Sequence, residues 1–263
     1  MKSSASMQTN CPIILMYHGV VQNAADSPPD REVGADIYDV TLDNFRGHLQ
    51  WLKDQGYRAL TLDEAQDHNQ KKIVLTFDDG EMNNSRLAVP VLREFLFSAY
   101  FFVIAKRVGR PGYMGFPELK KLREAGMVVG SHGFSHEILT GLLDSQIEQE
   151  FVASRRYLEQ NLEIPIDSVS IPRGFCNDKI IAMAGAAGYK NIFISERPCD
   201  LKADCLSRVA VKAGWSAKRL AASVTGQEPV SEKIKKTGIR IAKIILTDGG
   251  YNGIRSLIIK IFK

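Results

Sequence analysis

The sequence has no long hydrophobic run and few cysteines. No segment of the 263 residues approaches the roughly twenty apolar residues that a membrane-spanning helix needs. The first ten residues are polar and lack the apolar core of a secretory signal, which favours a cytoplasmic location. The four cysteines form no Cys-x-x-Cys pair and show no metal-ligand spacing. We therefore expect reduced thiols and no cysteine-based metal site.

The net charge of +4 is concentrated at the C-terminus. Residues 232–263 carry eight Lys or Arg against two acidic residues, which gives this segment +6. The pattern predicts two helices, 234–246 and 254–262. They either pack on the rest of the protein or form a basic amphipathic surface that contacts an anionic membrane or a partner. No basic patch lies near the motifs described next, so we expect no nucleic-acid partner.

Apolar, β-rich segments alternate with amphipathic helical segments along most of the chain. Predicted strands begin near Pro12 and recur up to residues 191–194, with helices between them. This alternation predicts an α/β fold with a closed or nearly closed parallel sheet over residues 1–225, followed by a C-terminal helical extension over 226–263. Residues 22–39 are rich in Asp, Pro and Gly and predict a loop over the functional site.

Two polar motifs follow predicted strands. Thr76-Phe77-Asp78-Asp79-Gly80 comes after Ile73-Val74-Leu75, and Ser131-His132-Gly133-Phe134-Ser135-His136 comes after Met127-Val128-Val129. Parallel α/β folds build active sites where strands end. One Asp and two His would form an open divalent-metal site, and the second Asp is then suited to act as a general base. The pattern predicts a metal-dependent hydrolase.

The same two motifs resemble those of the polysaccharide deacetylases of carbohydrate esterase family 4, which share the NodB homology domain. The resemblance extends from about Pro12 to about Ala213. It implies a distorted (β/α) barrel of about seven parallel strands. It also implies hydrolytic removal of N-acetyl groups from an amino sugar, either in a poly- or oligosaccharide or in its lipid- or nucleotide-linked precursor. A carbohydrate is then the expected partner of the site.

We assign Asp79, His132 and His136 as the metal ligands, with Asp78 as the base that takes a proton from the attacking water. The resemblance implies the same roles for these four residues. Asp with two His suits zinc, and also cobalt, nickel or iron.

The proton donor is a separate question, because no histidine follows His136 and the late Leu-x-x-His motif of many family members is absent. The string Leu15-Met16-Tyr17-His18 is similar to a subgroup that deacetylates poly-N-acetylglucosamine, in which a His at this position is the proposed acid. His18 is therefore the candidate acid, and a structural core histidine is the alternative. We expect His48 and His68 to face solvent.

Pro172-Arg173-Gly174 departs from the family's Arg-x-Pro-Tyr-Gly-like string, since Ser170 stands at the Arg position and Arg173 at the Tyr position. The backbone N–H of Arg173 is a candidate oxyanion donor. Its guanidinium either braces Asp78 or meets an anionic group of the substrate. Candidate substrate contacts are the rings of Phe134 and Phe175 and the carboxylate of Glu196.

Two other functions stay open at this point. The same metal site could open cyclic amides or imides, because Arg173 replaces a Tyr and the late His is missing. The domain could also be an inactive carbohydrate-binding descendant, although Asp78, Asp79, His132 and His136 are all present, which favours an enzyme.

Overall fold

The computed structural model of the protein describes residues 12–63, 71–195 and 205–227. Within these ranges, no helix is both long enough and apolar enough to cross a lipid bilayer. The predicted helices 234–246 and 254–262 lie outside the described residues, as do His68 and Glu196.

The centre of the fold is a parallel sheet rolled into a nearly closed barrel. In chain order the strands are β1 (Ile13–Tyr17), β2 (Val20–Val21), β3 (Val40–Thr41), β4 (Tyr57–Ala59), β5 (Lys71–Phe77), β6 (Tyr100–Val103), β7 (Val128–Ser131), β8 (Ser168–Ser170), β9 (Asn191–Ile194), β10 (Leu206–Ser207) and β11 (Val209–Ala210). The barrel order is β10-β9-β8-β7-β6-β5-β1-β11, with β4 paired to β5, while β2 and β3 pair separately. The predicted α/β fold with a parallel sheet is confirmed.

One short segment closes the barrel. Its first half, β10, pairs with β9, and its second half, β11, pairs with β1. Arg208 is the single residue between the two halves. Counted as one strand, this segment makes seven strands together with β1 and β5 to β9. The short β4, paired to β5, is the eighth strand of the described sheet, close to the expected number of about seven. No strand is predicted here from the sequence pattern, because each half is only two residues long.

Helices pack around the barrel. They are α1 (Leu42–Asp54), α2 (Val89–Phe95), α3 (Phe116–Glu124), α4 (Asp144–Leu162), α5 (Asp178–Ala186) and α6 (Ala217–Val224). Thr41 caps the start of α1, since its side chain accepts a hydrogen bond from the N–H of Asn44. A π-helical turn, Asn84–Ala88, leads into α2, and short 3₁₀ turns lie at Ala24–Asp26, Ala35–Tyr38, Ala105–Arg107, Leu139–Gly141 and Pro172–Gly174.

The barrel wall separates two apolar clusters. The inner cluster consists of five buried residues, Ile14, Val74, Tyr100, Phe102 and Phe193. Because side chains alternate along a strand, their neighbours Leu75 and Phe101 belong to the larger cluster beneath the helices. Two residues after Val74, the alternation places Thr76 on the inner side, where its hydroxyl donates to the carbonyl of Leu15. The interior therefore changes from apolar to polar toward the carboxyl ends of the strands.

His48 differs from the expectation that it faces solvent, because it is fully buried. Its Nε2 lies 2.7 Å from the carbonyl oxygen of Trp215, and its Nδ1 lies 3.3 Å from the hydroxyl of Tyr17. The segment that leads into α6 covers this side of α1 and supplies that carbonyl. Burial lowers the pKa of His48 to about 4. His48 is thus a neutral, hydrogen-bonded residue of the core.

Candidate active site

The two sequence motifs meet at the carboxyl ends of the barrel strands. Asp78 and Asp79 follow β5 directly, and His132 follows β7. Asp79 and His136 both have left-handed backbones, with φ of 72° and 70°. Non-glycine residues adopt this conformation seldom, and such strained residues cluster at functional sites. Both strained residues here belong to the predicted ligand set.

Three potential ligand atoms converge at this point. Oδ1 of Asp79 lies 3.6 Å from Nε2 of His132 and 3.6 Å from Nε2 of His136. This buried oxygen has no hydrogen-bond partner among the described residues. Three donors held tetrahedrally at about 2.1 Å from one ion would be about 3.4 Å apart. The unsatisfied oxygen and the spacing therefore fit a divalent cation.

Both imidazoles are oriented with Nε2 toward Asp79. Nδ1 of His132 lies 2.8 Å from the carbonyl oxygen of Ser170, and Nδ1 of His136 lies 2.9 Å from Oε1 of Glu32. These acceptors assign the ring proton to Nδ1, which leaves the Nε2 lone pairs available for a metal. Burial lowers the pKa of His132 to about 4, so this ring is neutral near pH 7.

Asp78 is held by a buried arginine. Nη1 of Arg208 donates to Oδ1 of Asp78 at 2.7 Å, and Nη2 donates to Oδ2 at 2.8 Å. The Ser170 hydroxyl adds a contact of 3.2 Å to Oδ2. Burial alone would raise the pKa of the Asp78 carboxyl, but Arg208 and, less strongly, His132 hold that pKa well below its usual range. Asp78 is therefore ionised, with Oδ2 3.8 Å from Nε2 of His132.

The Arg173 side chain contacts Glu32 rather than Asp78. Its Nη2 lies 3.5 Å from Oε1 of Glu32, and its backbone is left-handed with φ of 56°. The residue that braces Asp78 is Arg208. The Arg173 guanidinium pairs with Glu32, a loop carboxylate of this chain, so the structure shows neither of the two contacts expected for it. The buried Nε of Arg173 has no hydrogen-bond partner among the described residues.

His18 follows β1 at the same end of the barrel and is half-buried. Its ring stacks on Tyr38, with ring centroids 4.6 Å apart, and its backbone carbonyl accepts a hydrogen bond from the side chain of Asn84. The ring is near enough to Asp78 to contribute to lowering the pKa of that carboxyl. Nδ1 of His18 is buried without a hydrogen-bond partner in the described part of the chain.

The two motifs lie in a part of the chain that is similar to known proteins. The family model described as polysaccharide deacetylase matches residues 65–192, a range that contains both motifs. Residues 65–192 belong to the polysaccharide deacetylase family.

Relatives of this protein come from several bacteria. The Bacillus subtilis protein named "Putative polysaccharide deacetylase YxkH" is 28% identical over 236 residues, covering 84% of this chain and 80% of that protein. A poly-beta-1,6-N-acetyl-D-glucosamine N-deacetylase of Staphylococcus aureus is 24% identical, with coverage of 60% and 62%. Among solved structures, the Streptococcus pyogenes deacetylase PplD shares the fold, with a TM-score of 0.71, 24% identity and coverage of 83% and 99%.

The two rings expected to contact a sugar, Phe134 and Phe175, differ in how far they are exposed. Phe134 is half-buried in the loop between His132 and His136, and Glu150 holds this loop by accepting from the N–H of Phe134 and the N–H of Ser135. Phe175 is only 8% exposed and offers little ring surface to a ligand.

Two residues of the site were missed at the level of sequence, Arg208 and Glu32. Arg208 lies in a segment too short to be recognised as a strand. Glu32 lies in the predicted loop 22–39, where no pattern distinguishes it from the acids around it. The only available signal was chemical: with Ser170 at the Arg position, the buried Asp78 needs another cation, but the sequence does not say which of 34 Lys and Arg residues supplies it.

Proposed function

We propose that this protein is a divalent-metal-dependent N-deacetylase that hydrolyses the N-acetyl group of an amino sugar in a poly- or oligosaccharide or in its lipid- or nucleotide-linked precursor. Zinc is the proposed metal, with cobalt, nickel and iron as the other candidates.

The observation that carries the proposal is the unsatisfied Oδ1 of Asp79, which faces the Nε2 atoms of His132 and His136 while the ionised Asp78 lies beside them. A buried carboxylate oxygen without a partner is costly unless a cation compensates it. A divalent ion at this point would polarise the amide carbonyl and acidify an attacking water.

The protein's own groups supply the remaining chemistry. Asp78 accepts the proton of the attacking water, because Arg208 keeps its carboxylate ionised and fixed in orientation. His18 donates a proton to the departing amine from the same end of the barrel. The backbone N–H of Arg173 stabilises the oxyanion, and its left-handed conformation fixes the direction of the peptide groups around it.

The proposed substrate class rests on the relatives and on the site. The Staphylococcus aureus relative acts on poly-beta-1,6-N-acetyl-D-glucosamine, and a Bacillus cereus relative is named peptidoglycan-N-acetylglucosamine deacetylase. Both names contain an N-acetylated amino sugar. The half-buried Phe134, beside the ligands, supplies an apolar ring on which a sugar could stack.

The decisive experiment measures acetate release by the zinc-loaded protein and by Asp78→Asn. The panel contains β-1,4- and β-1,6-linked oligomers of N-acetylglucosamine, a nucleotide-linked and a lipid-linked N-acetylglucosamine, and a cyclic imide. We expect acetate from at least one sugar, loss of this activity after chelation, and a decrease of about 10²- to 10⁴-fold in Asp78→Asn. The matched control is Asp144→Asn, which removes an exposed carboxylate paired with Lys179.

Asp78→Asn leaves Arg208 buried without its full ion pair, so its fold and zinc content must be checked by circular dichroism and metal analysis. A folded, zinc-containing Asp78→Asn that releases acetate at the wild-type rate would exclude Asp78 as the base. Opening of the imide without acetate release would instead favour the cyclic-amide hydrolase. Absence of both zinc binding and activity would favour a carbohydrate-binding domain.

A cytoplasmic location and membrane contact through residues 226–263 also stay proposals. The support for the latter is the charge of +6 over residues 232–263. Co-sedimentation of the full-length protein with vesicles of anionic and of neutral phospholipid tests it. Salt-sensitive binding to the anionic vesicles alone is expected, and equal or absent binding to both would exclude an electrostatic contact.

A further inference from the structure

A loop carboxylate, Glu32, contacts one of the two histidines of the candidate metal site. Oε1 of Glu32 lies 2.9 Å from Nδ1 of His136 and 2.8 Å from Nη2 of Arg107, with Nη2 of Arg173 at 3.5 Å. Nitrogen atoms from three separate segments thus lie within 3.5 Å of one oxygen. Glu32 is therefore fixed in position rather than free on the surface, although its side chain is 23% exposed.

The neighbouring residue anchors the same loop independently. Arg31 donates to both carboxylate oxygens of Asp39 at 2.7 Å, and its Nε lies 2.9 Å from Oε1 of Glu81. The side chains of Arg31 and Glu81 are 10% and 1% exposed. Removing the Glu32 carboxylate therefore leaves the loop attached through a buried ion-pair cluster, so the effect on His136 can be separated from loss of the loop.

The two histidine rings are oriented by different kinds of hydrogen-bond acceptor. His132 has a backbone acceptor, the carbonyl of Ser170, which is built into the end of β8. The acceptor for His136 is the Glu32 side chain, which comes from more than a hundred residues earlier in the chain. An acceptor opposite Nδ1 keeps Nε2 unprotonated and directed at Asp79, and a carboxylate in that place also increases the basicity of the ligand.

We propose that Glu32 is a positioning residue for the metal site, which fixes the ring orientation and tautomer of His136 and thereby increases the affinity of the site for a divalent cation. Arg107 and Arg173 hold Glu32 in place for this role. The inference depends on the proposed use of Asp79, His132 and His136 as metal ligands.

The test is the affinity of the metal-free, full-length protein for Zn²⁺, measured by competition with a chromogenic chelator in wild type, Glu32→Ala, Glu32→Gln and Glu32→Asp. Glu32→Ala should weaken zinc binding by about 10- to 100-fold. The zinc affinity of Glu32→Gln should fall less, because its amide oxygen can still accept a hydrogen bond from Nδ1 of His136. Glu32→Asp keeps the charge, but its shorter side chain withdraws the carboxylate oxygen from the His136 ring. Its affinity for zinc should therefore fall further than that of Glu32→Gln.

Glu159→Ala is the matched control. Its carboxylate is similarly exposed, at 31%, and its Oε1 also accepts two hydrogen bonds, from Arg155 and from the N–H of Ile166, but it lies on α4 away from the ligands. This variant should bind zinc like the wild type. Thermal unfolding of the metal-free variants shows whether each one is folded.

The outcomes separate the inference from the function on which it rests. A wild type that binds no zinc would overturn the proposed metal site itself. A wild type that binds zinc, together with a folded Glu32→Ala of equal affinity, would overturn only the role of Glu32. Should Glu32→Ala fail to fold, Glu32→Asp decides instead: weakened zinc binding supports the role, and unchanged binding excludes it.

Discussion

The guanidinium of Arg208 binds both carboxylate oxygens of Asp78 in a pair that is almost completely buried, with side chains 0% and 3% exposed. The short side chain of Ser170 leaves room for this arrangement, and its hydroxyl accepts from Nη2 of Arg208 at 2.7 Å. Where the family pattern places an arginine on the strand that carries Ser170, this chain supplies one from the segment that closes the barrel. Arg208 therefore lies in the segment that closes the barrel and also orients the candidate base, Asp78.

Replacing Arg208 by Met should destabilise the protein by about 3–5 kcal/mol, because it leaves the Asp78 charge buried without its partner. Urea unfolding of the metal-free protein measures this change. The double variant Asp78→Asn/Arg208→Met should recover part of the loss, since it contains no unpaired buried charge. A free energy of unfolding in Arg208→Met within about 1 kcal/mol of wild type would show that the pair contributes little.

Arg208→Gln should move the acid limb of the kcat/KM profile for acetate release to higher pH. Burial raises the pKa of the Asp78 carboxyl and Arg208 opposes this effect, so removing the guanidinium raises the pKa. Asp78 acts as a base only when ionised, and activity is therefore lost at a higher pH in the variant. Arg155→Gln, which alters an ion pair on α4, is the control. An unshifted acid limb in a folded Arg208→Gln would contradict the assignment of that limb to Asp78.

The positions of the ligands could be predicted because they depend on local features. The motif residues Asp79 and His132 directly follow apolar strand segments, so the parallel fold brings them to one edge. Likewise, the long amphipathic pattern over residues 144–162 predicts a helix, and α4 has these bounds in the structure (Asp144–Leu162).

The partners of these residues could not be predicted, because they depend on contacts distant in sequence. Arg208 lies 130 residues from Asp78, and Glu32 lies 104 residues from His136. The prediction that His48 faces solvent was wrong for the same reason. The sequence pattern indicates the helix α1, but the segment at Trp215 that covers His48 lies 167 residues away in the chain.

His48 should make the protein less stable as the pH falls from about 6.5 to about 4. Burial lowers the pKa of His48 to about 4 in the folded state, while the unfolded value is near 6.5. Between these values the unfolded chain binds the additional proton, so the free energy of unfolding decreases by up to about 3 kcal/mol from this group. Urea unfolding of wild type and His48→Gln at several pH values measures the contribution.

His48→Gln can still donate to the carbonyl of Trp215 but cannot titrate, so its stability should depend less steeply on pH in this window. His132, with a pKa also lowered to about 4, contributes to both proteins equally and cancels in the comparison. Parallel pH profiles of the two proteins would show that His48 is protonated equally in the folded and unfolded states.

His18→Gln tests the assignment of the proton donor. Removing an acid that protonates the departing amine should lower kcat on N-acetylated sugars by about 10²- to 10⁴-fold with little change in KM, since His18 acts on the leaving group rather than in binding. An aryl acetate, whose phenolate leaves without a proton, should be cleaved at nearly the wild-type rate by the same variant. Tyr38→Phe, which keeps the ring stacked on His18, is the control. Equal losses on the sugar and on the aryl acetate would instead assign His18 to the structure of the site, because a positional defect would impair both reactions alike.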